Sequence, residues 1–78
     1  MKIRDMAEKT LGEKRVKADF NTTNDSLVDN IKRKAAELID LCEEMRGEGS
    51  SEKQRLISLA QTDIENAAMW AVKANFTE

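Results

Sequence analysis

The sequence has no histidine, no tyrosine and no proline, and it has one cysteine, Cys42. One cysteine excludes a disulfide within the chain, and without histidine a Cys/His zinc site within one chain is excluded too. The lack of histidine also removes the commonest general acid/base, so no imidazole is present to activate the cysteine or the serines. The 15 acidic residues suit the solvated faces of a helical chain. The composition therefore favours a binding protein over an enzyme, with no metal and no cofactor.

Long apolar runs are also lacking. No stretch approaches the roughly 20 apolar residues of a membrane span, and the N-terminal residues lack the apolar core of a signal peptide. We therefore expect an intracellular soluble protein without membrane contact. Its 78 residues make a single domain, residues 1–78, with too small an interior for a deep core. Because disulfides and zinc are excluded, oligomerisation is the remaining source of extra stability.

The few glycines divide the chain into helical segments. Gly47 and Gly49 separate two amphipathic segments, predicted as helices over 26–46 and 51–76, and Gly12 interrupts a weaker N-terminal helical extension over 1–18. The two strong segments carry apolar residues at alternating spacings of 3 and 4, which we call the predicted stripes. They are Val28, Ile31, Ala35, Leu38, Cys42 and Met45 in the first, and Ile57, Ala60, Ile64, Ala67, Ala71 and Ala74 in the second. The pattern predicts an all-α antiparallel helical hairpin with an additional N-terminal helical segment, and Cys42 as a small core residue.

Capping signals accompany both predicted helices. Ser26 or one of the two residues before it caps the first helix, and Arg46 in its last turn suits the helix dipole. The second helix begins at Ser50 or Ser51. With Ser51 as the cap, Gln54 would complete a capping box.

A further apolar surface lies outside the second stripe and includes Met69, Trp70 and Phe76. One partner helix cannot cover both this surface and the stripe. The N-terminal segment, with Ile3 and Met6, is one candidate to cover it. We favour a homo-oligomer interface anchored by these three residues, since the small size already favours assembly.

Charge is uneven along the chain. Residues 1–34 contain nine Lys or Arg against six Asp or Glu, whereas the remainder is acidic and the whole chain has a net charge of −2. Two basic clusters, residues 14–17 and 32–34, flank Phe20 and the polar residues 21–23. Cations neutralise phosphates, an aromatic ring stacks on a base, and Asn or Thr side chains bond its edge. This segment is either a site for a small phosphorylated ligand or an ordinary solvated loop. No basic face is long enough for DNA or RNA.

The second helical segment contains two specific elements: E-K, at Glu52 and Lys53, and A-x-M-W-A, from Ala67 to Ala71. With these elements the segment resembles the closing helix of the phage anti-CBASS sponge proteins. The segments D-F-N-T-T and I-K-R-K-A also look like their counterparts in that family. The matching positions of the closing helix are Ser50, Glu52, Lys53, Leu59, Ala60, Glu65, Ala67, Met69, Trp70, Ala71 and Ala74. The resemblance covers residues 19–76.

The resemblance implies a homohexamer in the bacterial host cytoplasm. It would sequester cyclic dinucleotides such as 3′,3′-cGAMP without cleaving them, so that the CBASS effector is not activated. Each implied pocket is built from two subunits and takes its residues from Phe20, Asn21, Thr22 and Thr23 together with Lys32, Arg33 or Lys34. Phe20 stands where the family has a tyrosine. A second site, for cyclic trinucleotides, would use Ser51, Lys53 and Arg55.

The sequence leaves open three alternatives to this interpretation. The first alternative is a helical module that binds a partner protein through the surface around Trp70 and Phe76. The second is a sponge for signals of the cyclic ADP-ribose type. The third alternative is an enzyme that cleaves its nucleotide. Recovery of an intact ligand from the denatured complex would exclude it.

Overall fold

A computed structural model of the chain describes residues 10–16 and 26–78. These residues form three helices and no strand: α1 (Leu11–Arg15), α2 (Ser26–Glu44) and α3 (Ser51–Asn75). The all-α hairpin is confirmed, with α2 and α3 as its arms and α1 packed on α2. Of the predicted N-terminal extension only residues 10–16 are described, so the suggestion that Ile3 and Met6 cover the apolar surface lies outside the described residues.

The two arms join through a turn in which glycine is required. Gly47 has φ +24°, in the left-handed range that side chains disfavour. α2 ends at Glu44 and not at the predicted residue 46, which puts Arg46 in the turn. α3 ends at Asn75, one residue before the predicted 76.

Of the two predicted caps of α3 the structure has Ser50, so the capping box that depended on Ser51 does not form. Ser50 is the N-cap, and its Oγ accepts a hydrogen bond from the Lys53 N–H at 3.1 Å. Gln54 is therefore free to reach back across the turn, where its Nε2 donates to the Arg46 carbonyl oxygen at 2.9 Å. Arg46 Nη1 donates in return to Gln54 Oε1 at 3.2 Å. Arg46 thus links the turn to α3 by hydrogen bonds. The sequence predicts instead that it interacts with the dipole of α2.

The buried face of each arm is rotated from its predicted stripe. α2 buries Val28, Ala36, Ile39 and Cys42, and α3 buries Ile57, Gln61 and Ala68. Cys42 is the core residue that the sequence predicts. Leu38 and Met45 are instead 48% and 53% exposed, and Ala67 and Ala74 are exposed as well. Successive helical residues differ by about 100° in direction, so a one-residue shift moves a different set of side chains to the interface.

α1 packs on the rotated face of α2, at Ala36. A capping box begins α1: Thr10 Oγ1 accepts from the Glu13 N–H at 3.1 Å, and Glu13 Oε1 accepts from the Thr10 N–H at 2.8 Å. The Gly12 N–H then donates to Asp40 Oδ1 at 2.7 Å. A Cβ at Gly12 would lie 1.9 Å from the Ala36 carbonyl oxygen. The two backbones therefore touch at Gly12, and Ala36 is buried at this contact.

None of the described helices combines the length and the apolar character that crossing a bilayer demands.

Gly12→Ala is expected to destabilise the protein by about 1–3 kcal/mol, because the methyl group overlaps backbone atoms that cannot move aside cheaply. Urea unfolding followed by circular dichroism measures the change in the free energy of unfolding. Gly49→Ala is the matched control, since a Cβ there meets the flexible Lys53 side chain, whose Cδ lies 2.5 Å away. Equal stabilities of the two variants would contradict the close contact between α1 and α2.

Candidate functional site

A polar network lies beneath the candidate site and centres on Gln61, which is 0% exposed. Its Nε2 donates to the Ile39 carbonyl oxygen at 3.2 Å and to Glu43 Oε1 at 3.0 Å. Its Oε1 accepts from Arg46 Nη2 at 2.8 Å and from Arg15 Nη1 at 3.4 Å. Among the described residues, no buried side-chain nitrogen or oxygen lacks a hydrogen-bond partner. One amide thus connects α3 with α2, with the turn and with α1.

Arg15, at the end of α1, is fixed against α3. Its Nε donates to Glu65 Oε1 at 2.8 Å, in an ion pair whose arginine side chain is 24% exposed. Its Nη2 donates to Thr62 Oγ1 at 3.0 Å. Together with the bond to Gln61, these contacts hold the planar guanidinium group in one orientation.

A cleft of about 260 Å³ opens between the three helices beside this guanidinium. Its lining residues are Arg15, Val16, Lys32, Glu65, Asn66, Met69 and Val72. The charged groups are two cations and one carboxylate, and most of the remaining wall is apolar. Such a cleft suits a ligand that combines a negative group with a flat apolar ring.

The sequence-predicted ligand residues fall into two groups. Phe20, Asn21, Thr22 and Thr23 lie outside the described residues. The three basic residues of α2 point in different directions, because consecutive helical residues are about 100° apart. Lys32 lines the cleft, Lys34 lines a separate apolar groove, and Arg33 is exposed. Only Lys32 of the three shares the cleft with Arg15.

The second site predicted from the sequence stays a prediction, and its three residues lie in the first five positions of α3. Lys53 lines a groove of about 430 Å³ beside the turn, together with Met45, Ser50 and Leu56. Ser51 and Arg55 are not among its lining residues. The Arg55 guanidinium pairs with Glu52, with Nε donating to Oε1 at 2.9 Å.

The residues predicted for the oligomer interface are exposed in the single chain. Met69 is 52%, Trp70 60% and Phe76 70% exposed. Lys73 Nζ lies 5.7 Å from the centroid of the Trp70 ring, a cation–π distance. A second apolar surface is the groove of about 390 Å³ lined by Ile31, Lys34, Ala35, Leu38, Ile64, Ala67, Ala68 and Ala71. Most of its residues belong to the predicted stripes that the core leaves uncovered.

Two residues of the site were missed by the sequence prediction. Arg15 belongs to a basic cluster noted there, but the cluster contains no signal that selects it over Lys14 or Lys17. Gln61 follows Ile57 by four residues and precedes Ala68 by seven. A polar residue at helical spacing from apolar core residues is expected to be buried and hydrogen-bonded, so this role of Gln61 could have been predicted from the sequence.

Glu43 accepts hydrogen bonds from two sides. Gln61 donates to it, and Arg46 Nε donates to its Oε1 at 2.8 Å. These two bonds, aided by the charge of Arg46, lower the pKa of the Glu43 carboxyl, with the Gln61 bond as the largest cause. The carboxylate form of Glu43 therefore belongs to the folded network.

A helical hairpin with a cationic cleft between its helices defines a small all-helical protein with a concave candidate site. The family model described as Acb2/Tad1, hairpin domain, matches residues 13–76. The chain therefore belongs to the Acb2/Tad1 hairpin family, which is the anti-CBASS sponge family named from the sequence and a family of binding proteins. Neither the search of curated proteins nor that of solved structures returned a significant match.

Glu43→Gln is expected to lower the free energy of unfolding at neutral pH and to make it depend less on pH in the acid range. A folded-state pKa below the unfolded-state value means that Glu43 stabilises the fold above the unfolded-state pKa, about 4.3. This contribution is lost as the pH falls through the folded-state pKa. Urea unfolding from pH 7 downward should therefore show the gap between wild type and Glu43→Gln closing below about pH 4.

The matched control for this experiment is Glu44→Gln, the same change at the exposed neighbouring residue. A gap between wild type and Glu43→Gln that stays constant down to the acid transition would show that the carboxylate is not part of the network.

Proposed function

We propose that this protein binds and sequesters a cyclic dinucleotide of the 3′,3′-cGAMP type without cleaving it, and so blocks activation of CBASS immunity by the bacterial host's own signal. The observation that carries the proposal is the cleft with Lys32 on one wall and Met69 and Val72 on another, inside the part of the chain that matches the family. A lysine ammonium suits a phosphate, and the apolar wall suits a base.

Sequestration needs affinity but no reacting group. A nanomolar dissociation constant corresponds to about −12 kcal/mol. Phosphate neutralisation and contact with two bases, in a pocket formed before the ligand arrives, together can supply a binding free energy of that size. A chain with no histidine is suited to holding a phosphodiester rather than to hydrolysing it.

We further propose that two subunits complete each site within a homohexamer. The cleft of about 260 Å³ lies below the roughly 300–1,000 Å³ of sites that enclose a small ligand, so one chain supplies only part of a pocket for a dinucleotide. A two-fold axis suits a cyclic ligand with two similar halves. The exposed Trp70 and Phe76 and the apolar groove on the stripes are surfaces that assembly would cover.

Calorimetric titration of the full chain with 3′,3′-cGAMP tests the ligand. We expect tight binding with about one ligand per two chains, and chromatography after heat denaturation should recover the nucleotide intact. Lys32→Ala should weaken binding about tenfold or more, because a hydrogen bond to a charged group contributes about 1.5–3 kcal/mol. Lys34→Ala removes the same charge outside the cleft and should cost less than about threefold.

Two outcomes would contradict the proposal. If neither 3′,3′-cGAMP nor a panel that includes cyclic ADP-ribose isomers binds, the sponge function fails. If the recovered nucleotide is cleaved, the protein is an enzyme. Binding of a cyclic ADP-ribose isomer alone would keep sequestration and change the ligand class.

Sedimentation of the full chain tests the assembly. We expect a mass of roughly six chains, and Trp70→Ala should lower both the mass and the affinity for 3′,3′-cGAMP, because truncating an aromatic interface anchor costs about 2 kcal/mol or more. Trp70→Phe, which keeps a ring, is the matched control. A Trp70→Ala monomer with wild-type affinity would show that the site does not depend on assembly.

The exposure of Trp70 and Phe76 also favours a second candidate, a helical module that binds a partner protein. Under that function Trp70→Ala abolishes activity while Lys32→Ala leaves it intact. The two substitutions therefore separate the candidates in a single assay of CBASS inhibition in cells.

A further inference from the structure

We propose that Arg15 is a ligand-binding residue of the cleft, supplying a phosphate-binding cation alongside Lys32, and that Glu65 is the residue that orients it. This inference rests on the proposed function and names a contact that lies outside the basic segment of α2. Arg15 and Lys32 come from different helices and line the same cleft.

The hydrogen bonds of Arg15 leave donors for a ligand. A guanidinium group carries five N–H bonds. In Arg15 one bond from each nitrogen is used within the chain, by Glu65, Gln61 and Thr62. With respect to the residues that the structure describes, each terminal nitrogen therefore retains one N–H, and a phosphate is the planar group's natural bidentate partner.

The net charge of the cleft depends on both of its cations. Arg15 and Lys32 face one carboxylate, Glu65, which is ion-paired with Arg15. Loss of either cation would leave the lining neutral. With both, two clefts carry about two positive charges, which match the two phosphodiester groups of a cyclic dinucleotide. Arg15 is thus one of the two cations that give the cleft its positive charge.

The surroundings of Arg15 pre-organise it for binding. The Gly12 N–H bond to Asp40, at 2.7 Å, places α1 on α2, and the ion pair with Glu65, at 2.8 Å, places the guanidinium on α3. A side chain already held in position loses little conformational entropy when a ligand arrives. A lysine at position 15 would keep the charge but lose the fork of donors.

The experiment titrates 3′,3′-cGAMP into the full chain at two salt concentrations. Arg15→Gln is expected to weaken affinity about tenfold to a hundredfold and to reduce its salt dependence, because one cation that faces the ligand is gone. Arg15→Lys should lose about tenfold and keep the salt dependence of the wild type. Lys14→Gln removes the neighbouring, exposed charge and is the matched control, with affinity within about twofold of wild type.

Separate readouts distinguish a ligand contact from a purely structural role. Circular dichroism and sedimentation establish that each variant keeps its helices and its mass. A weaker affinity for Arg15→Gln with an unchanged salt dependence would assign Arg15 a structural role only and overturn the inference. Wild-type affinity for Arg15→Gln, alongside weakened binding for Lys32→Ala, would overturn it too while the sponge function stands. A wild type that binds no cyclic nucleotide would overturn both.

Discussion

The structure depends on one buried amide, that of Gln61. Taking an amide out of water is unfavourable unless hydrogen bonds replace those it loses. Gln61 is fully buried, and its four partners are the Ile39 carbonyl, Glu43, Arg46 and Arg15. They lie on both other helices and on the turn, so rotating or sliding any one of these elements would leave a polar group without its bond. The network therefore selects one arrangement of the three helices.

This arrangement has a consequence for the surface. Because the interior contains Gln61 and the backbone contact of Gly12 with Ala36, there is no room in it for all of the apolar residues that the helices carry. Leu38, Ala67 and Ala71 instead line an open groove. A small chain gains little stability from so limited a core, and covering such a groove in an assembly adds apolar burial. The polar network and the uncovered apolar groove thus have a common origin.

The sequence predicts the helices and the turn because period and glycine placement are local properties. It does not predict which neighbouring residue faces inward, since Ala35 and Ala36, like Leu38 and Ile39, are equally apolar. The start of α1 was readable from Thr10 and Glu13, which form a T-x-x-E box. The site was less accessible, because Arg15 meets Gln61 and Glu65 across separations of 46 and 50 residues. No short motif encodes a contact of that range.

The same arrangement explains why a binding role suits this fold. An enzyme must accommodate a transition state and release products, whereas a sponge performs best when its site is already formed. Rigid packing around Gln61 therefore suits the proposed sequestration, because it holds the described part of the cleft in place before a ligand arrives.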